Sequence, residues 1–199
     1  MSLHADALAV LESWAAPSPA QEALRERYVA HLRAHPDGMT RGCRPDHLTA
    51  STLVLDEDAT HALLTLHAKA RRWFQLGGHC EPGDLTLAGA AAREAREESG
   101  LHQLAVDPVP VQLSEHEVPF CGPTGGVHHL DVRFLAVVPA DGRHAVSEES
   151  LDVRWWPVDA LPDPEPELVE LVGLARARAQ SASPLGGGSS FAAADQPSR

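Results

Sequence analysis

Residues 73–101 read WFQLGGHCEPGDLTLAGAAAREAREESGL. The apolar start from Trp73 to Leu76 and the glycines Gly77 and Gly78 predict a short apolar strand ending in glycines. After a loop holding Pro82 and Gly83, the spacing predicts a helix over Leu85 to Ser99: Asp84 is a good N-cap, alanines fill the interior, and Gly100 supplies the stop. At about 100° per residue, Glu94 and Glu98 lie ~40° apart and Glu97 falls ~60° to the other side of Glu94. Three carboxylates therefore share one face with Leu87, Ala90 and Ala91, the stripe that should bury against a sheet. Like charges at this spacing repel by a few tenths of a kcal/mol, so the cluster calls for a counter-charge. Hard divalent cations such as Mg²⁺ take oxygen ligands and commonly join one or two carboxylates to substrate phosphates.

The segments on either side predict a mixed fold. Upstream, Leu8, Leu11 and Trp14 recur at helical spacing, a Pro17-Ser18-Pro19 break follows, and a second helix is expected around Ala23 to Ala34 with Arg25, Arg27 and Arg33. Leu48 to Leu55 and Ala62 to His67 read as a hairpin turned by Asp56 to Asp58. Downstream, strands are expected at Pro108 to Leu113, Leu130 to Val138 and Val153 to Trp156, and a last helix at Glu167 to Ala179. The predicted organisation is an N-terminal helical extension over 1–45, an α/β domain over 46–180 and a flexible tail over 181–199.

Gly78 to Leu101 resembles the Nudix box, G-x5-E-x7-R-E-U-x-E-E-x-G-U with U aliphatic, the signature of hydrolases acting on nucleoside diphosphates linked to another moiety. Gly78, Arg93, Glu94, Glu97, Glu98, Gly100 and Leu101 match. Asp84 stands where Glu is usual, and the gap between Asp84 and Arg93 is one residue longer than the pattern, which requires a bulge in the loop or first helical turn. The resemblance implies an α/β/α sandwich with a mixed sheet and a Mg²⁺- or Mn²⁺-dependent hydrolase cleaving a pyrophosphate linkage in a nucleotide sugar, dinucleotide or NTP. It implies that Glu94, Glu97, Glu98 and the carbonyl of Gly78 hold the metal and that Arg93 orients the carboxylates. It implies too that a later acid, here Glu148 or Glu149, ligates metal or acts as base. Two other readings share the fold: a sensor that binds a nucleotide metabolite without cleaving it, and an enzyme similar to isopentenyl diphosphate isomerase, for which Cys80 is the candidate cysteine.

Composition sets the outer limits. Sixteen Lys and Arg against 28 Asp and Glu give a net charge of −12, which argues against holding a nucleic-acid polymer by phosphate attraction. No apolar run approaches the roughly 18 residues of a membrane span, the N-terminus lacks a secretory pattern, and three cysteines form no disulfide framework. A cytoplasmic protein with a small-molecule partner is expected, with a homodimer left open. His79-Cys80, His116 and His128-His129-x-Asp131 lack paired Cys-x-x-Cys or His-x-x-x-His spacing, so zinc is not expected from them. His79 lies beside the glycines, within reach of a phosphate. Trp73, Phe74, Trp155 and Trp156 offer rings on which a base could stack, but all fall on strands, where core packing is the expected role for at least half of them. Arg25, Arg27, Arg33, Arg41 and Arg44 form a local basic set that either reaches substrate phosphates or faces solvent. Substrate choice is expected from the N-terminal residues and a loop between Glu115 and His129.

Overall fold

A computed structural model describes residues 1–119, 121, 126–139 and 150–182. Its elements follow as α1 Leu3–Ser13, α2 Pro19–Ala34, β1 Asp46–Asp56, β2 His61–His67, β3 Trp73–Phe74, β4 Leu76–His79, α3 Leu87–Ser99, β5 Gln112–Val118, β6 Val127–Val138, β7 Ser150–Pro157 and α4 Pro166–Ala182. β1 organises the mixed sheet. One edge runs parallel to β6 from Asp46 opposite His128 to Asp56 opposite Val138. The other edge is shared between two antiparallel partners, β4 along Thr49–Thr52 and β2 at Val54 and Leu55. β2 continues the sheet to β7 and β3, and β5 closes the far side on β6.

Alternation along β1 separates two cores. Leu48 and Ala50 face α1, α2 and α3, where Ala7, Leu11, Tyr28, Leu32, Leu87 and Ala90 are buried. Leu53 and Leu55 face α4, where Leu168, Leu171 and Ala175 are buried. Helices thus cover both faces, the α/β/α sandwich expected from the box. A fully buried leucine such as Leu11 or Leu87 contributes about 1.5–3 kcal/mol relative to exposure. The first two helices share this core with the sheet. Trp14 Nε1 donates to Pro110 O at 2.7 Å, and Gln21 both accepts from Leu113 N–H and donates to Leu113 O.

Several boundaries differ from expectation for local reasons. Asp84 is not the N-cap of α3. Thr86 takes that place, its hydroxyl accepting from Gly89 N–H at 3.0 Å, so the helix begins two residues later than expected. Gly100 ends it with φ 71°, the left-handed conformation that spares glycine a Cβ clash. Pro108 and Pro110 withhold donors from the ladder, and β5 starts at Gln112 instead. The two ends of the segment expected as a loop between Glu115 and His129 are strand, with His116 opposite His129 and Val118 opposite Val127. The strand expected from Trp73 divides at Gln75, β3 pairing with β2 and β4 with β1. Trp73 and Trp156 pack edge to face at 5.2 Å against the α4 core, and Trp155 joins the core around Val54 and Leu76.

Candidate active site

Strand β4 and helix α3 build the site between them. Gly77 lies against β1 so closely that a Cβ would fall 2.3 Å from the Cβ of Ser51, and its N–H donates to Glu98 Oε2 at 2.9 Å. At Gly78 a Cβ would lie 2.8 Å from the carboxylate of Glu94. Both glycines are thus required by close approach, one by the sheet and the other by a carboxylate. The helical arithmetic holds for two of the three glutamates. Ala91 and Ala95 bury beside the sheet, Glu94 and Glu98 follow on that side half-buried, and Glu97 turns toward solvent.

Arg93 gathers the acids. Its Nη1 donates to Glu94 Oε1 and to Glu97 Oε2, each at 3.0 Å, while Nε and Nη2 grip Asp84 as a fork at 3.1 Å. Nη2 also donates to His79 O at 2.9 Å, linking helix to strand. The extra residue between Asp84 and Arg93 is absorbed by starting the helix at Leu87, which leaves Asp84 in the loop as the guanidinium's partner and as acceptor for Glu81 N–H. Burial opposes the Arg93 charge, but Asp84 and Glu94 more than offset this and raise its pKa. From the N-terminal side, Asp6 accepts from Leu87 N–H at 2.7 Å at the positive end of the same helix. Arg96, the helix's other cation, donates to Leu104 O instead.

The opposite face of β4 carries a polar surface that the sequence pattern did not disclose. Asp131 on β6 is buried and accepts from Thr49, Ser51, Gln75 and Arg133 at 2.7–3.2 Å. Burial alone would push this carboxyl up; Arg133, His116 and the hydrogen bonds from Ser51 and Arg133 more than offset it and hold the pKa below the ordinary value. Toward the mouth of the sheet the surface becomes imidazole: His47, His79 and His129 stand with ring centroids 4.8–5.1 Å apart. Burial holds His79 down to about 4 and His129 to about 3. The thiol of Cys121 reaches the same place.

The remaining expected residues are dispersed. Cys80 packs at the edge of the α1–α2 core with its thiol pushed up to about 12 by burial. Of the basic set, Arg25 pairs with Glu22, Arg27 with Asp46 and Glu115, and Arg33 with Glu12. Arg44 donates to Cys121 O at 3.2 Å. Arg41 is exposed and makes no ion pair among the described residues; its charge helps depress the pKa values of His79 and His47. Glu148 and Glu149 lie outside the described residues, as does the tail beyond Ala182. No helix among the described residues is long and apolar enough to cross a membrane.

Comparison with known proteins agrees with this geometry. The model of the NUDIX domain family matches residues 45–172. Solved structures with the same fold include an Ap4A hydrolase from C. elegans, with 18% identity, TM-score 0.55 and coverage of 67% of this chain and 98% of that one. A NUDIX-family hydrolase from Clostridium perfringens has 22% identity, TM-score 0.50 and coverage of 64% and 97%. The dihydroneopterin triphosphate pyrophosphohydrolase of E. coli has 17% identity, TM-score 0.51 and coverage of 65% and 92%. A search of curated protein sequences finds no match.

Proposed function

The chain belongs to the NUDIX domain family and is an enzyme of the Nudix pyrophosphohydrolase type; on that premise we propose that it cleaves the pyrophosphate linkage of a small nucleoside diphosphate derivative with Mg²⁺ or Mn²⁺. The observation that carries the metal assignment is the gathering of carboxylates at the end of β4. Arg93 draws Asp84, Glu94 and Glu97 together, and Glu98 accepts from the N–H of Gly77 beside them. This oxygen-rich set fits a hard divalent cation. Glu94, Glu97 and Glu98, with the carbonyl of Gly78, would hold it. When bound, the cation neutralises phosphate charge and makes water more acidic.

The chain's own residues supply the rest. Arg93 orients Glu94 and Glu97, and the bare Cα of Gly78 lets the Glu94 carboxylate sit against the strand. One carboxylate of the cluster, or Glu148 or Glu149, takes the proton of the attacking water as its oxygen bonds to phosphorus and the P–O bond to the leaving phosphate breaks. Arg41 offers charge for the substrate's phosphates. This reading places a small-molecule hydrolase in the cytoplasm, acting on neither a nucleic-acid polymer nor a membrane.

The test is product formation from a panel of nucleotide sugars, dinucleotides and NTPs with Mg²⁺ or Mn²⁺. Cleavage of at least one class, lost in Glu98→Gln, supports the proposal. Thermal stabilisation by a nucleotide without any product would favour a sensor.

A further inference from the structure

The structure points to a second metal site, separate from the glutamates and different in chemistry: we propose that His47, His79, Cys121 and His129 bind Zn²⁺ as a closed structural centre. The four residues come from β1, β4, the segment after β5 and β6. One ligating atom from each lies within 4.8 Å of all the others. For tetrahedral zinc with Zn–S of ~2.3 Å and Zn–N of ~2.0–2.1 Å, the sulfur–nitrogen edge is roughly 3.6 Å. Cys121 Sγ stands 3.6 Å from His79 Nε2 and 4.0 Å from His47 Nε2. These two edges are therefore near their liganded lengths.

Two further observations favour a metal over mere packing. His129 Nε2 is buried with no hydrogen-bond partner among the described residues, an uncommon condition for a polar atom and one that coordination would relieve. His47 Nδ1 donates to Cys43 O at 3.2 Å, which leaves the lone pair on Nε2 and turns it toward the thiol. A backbone carbonyl holding the far nitrogen is the usual support of a metal-bound imidazole. Cys121 is anchored as well: its N–H donates to Val118 O at 3.1 Å, and its carbonyl accepts from Arg44.

The donor set selects the metal. One thiolate and three imidazoles suit tetrahedral zinc and not magnesium, whereas the carboxylates across β4 have the reverse preference. Strand alternation makes the separation possible, since Gly78 faces Glu94 and His79 faces the cluster. Four protein ligands leave no open position, so the centre is structural. It ties Cys121, after β5, to β4 next to the Nudix glycines. Binding converts the Cys121 thiol to thiolate and releases its proton to solvent.

Zinc content and Co²⁺ substitution test the proposal on the full chain. After dialysis against metal-free buffer the zinc-loaded protein should retain one zinc per chain, and the Co²⁺ form should show tetrahedral d–d bands with a thiolate charge-transfer band. Cys121→Ala and His129→Ala should lower zinc affinity on the order of 100-fold, while Glu98→Gln should retain it. The Cys43→Ser/Cys80→Ser variant should keep the charge-transfer band, which assigns it to Cys121 even if the alanine variants do not fold. Absence of retained zinc in the wild-type chain, an octahedral Co²⁺ spectrum, or zinc lost from Glu98→Gln but kept by Cys121→Ala would overturn it. These readouts do not depend on hydrolysis, so failure here leaves the reaction assignment standing.

Discussion

Gly78 and Glu94 are in direct contact: any side chain at Gly78 would begin 2.8 Å from the Glu94 carboxylate. The strand end and the acidic helix are thereby locked into one unit, and the glycine is needed for what it lacks. Gly78→Ala must displace Glu94 or separate α3 from β4. The expected outcome is a folded protein whose hydrolysis falls on the order of 10²-fold, as for a catalytic group misplaced by about 1 Å, with saturation at higher Mg²⁺. Rates over a metal titration, set beside circular dichroism, check this.

Arg93 is the second lock, and its fork geometry matters as much as its charge. Arg93→Lys keeps a cation but cannot hold Asp84 with two parallel bonds while reaching Glu94, Glu97 and His79 O. Activity should drop sharply in the lysine variant. Arg93→Ala should also cost about 1–3 kcal/mol of stability, because the Asp84 carboxylate is left buried without its partner. Urea unfolding of both variants separates the two effects.

Much of this site was legible in the residues. The period of α3 put Glu94, Glu97 and Glu98 on one face, of which Glu94 and Glu98 turn inward while Glu97, at the edge of that face, is exposed; Gly100 marked the helix end. Asp84 was misplaced as a cap because capping and ion pairing use the same residue type, and only the position of Thr86 decides between them. The buried Asp131 network went unseen since Thr49, Ser51, Asp131 and Arg133 sit in strands that read as apolar or alternating, and their complementarity exists only across the parallel β1–β6 register. The imidazole cluster was hidden for a related reason. Its members come from four segments, so no local spacing signals it, and His47 and Cys121 attract no notice in one dimension.

The histidines predict an acid-sensitive fold. His79 and His129 have folded-state values of about 4 and about 3 against an ordinary 6.5, so the unfolded chain binds more protons below that ordinary value. Metal-free protein should therefore be most stable above about pH 6.5 with respect to these groups and lose stability as pH falls toward 4. Denaturant midpoints across that range check the direction; a flat profile between pH 7 and 4.5 would contradict the burial of the cluster.

Arg41 makes a prediction about substrate. Arg41→Ala should raise KM about tenfold with kcat nearly unchanged, the loss of one charge-assisted contact to phosphate. The fold should not change, since Arg41 is exposed and holds no ion pair among the described residues. Arg33→Ala, which removes only a bond to Glu12, is the control and should leave KM as it was.

The N-terminal helices should prove integral to stability. Leu11→Ala removes a fully buried side chain from the core shared by α1, α2 and the sheet and should cost about 2–5 kcal/mol. A shift in the denaturant midpoint of that size, without a change in slope, is the expected result.

The proposed role of the α3 carboxylates is hydrolysis of a pyrophosphate bond. It is tested most directly by running the reaction in ¹⁸O-labelled water with Mg²⁺ and the substrate panel, and following both products by ³¹P NMR. The expected result is cleavage between two phosphorus atoms, one labelled oxygen in one product phosphate, and loss of turnover in Glu98→Gln. Full turnover in Glu98→Gln, or no cleavage of any nucleoside diphosphate derivative by the folded wild-type chain, would contradict it.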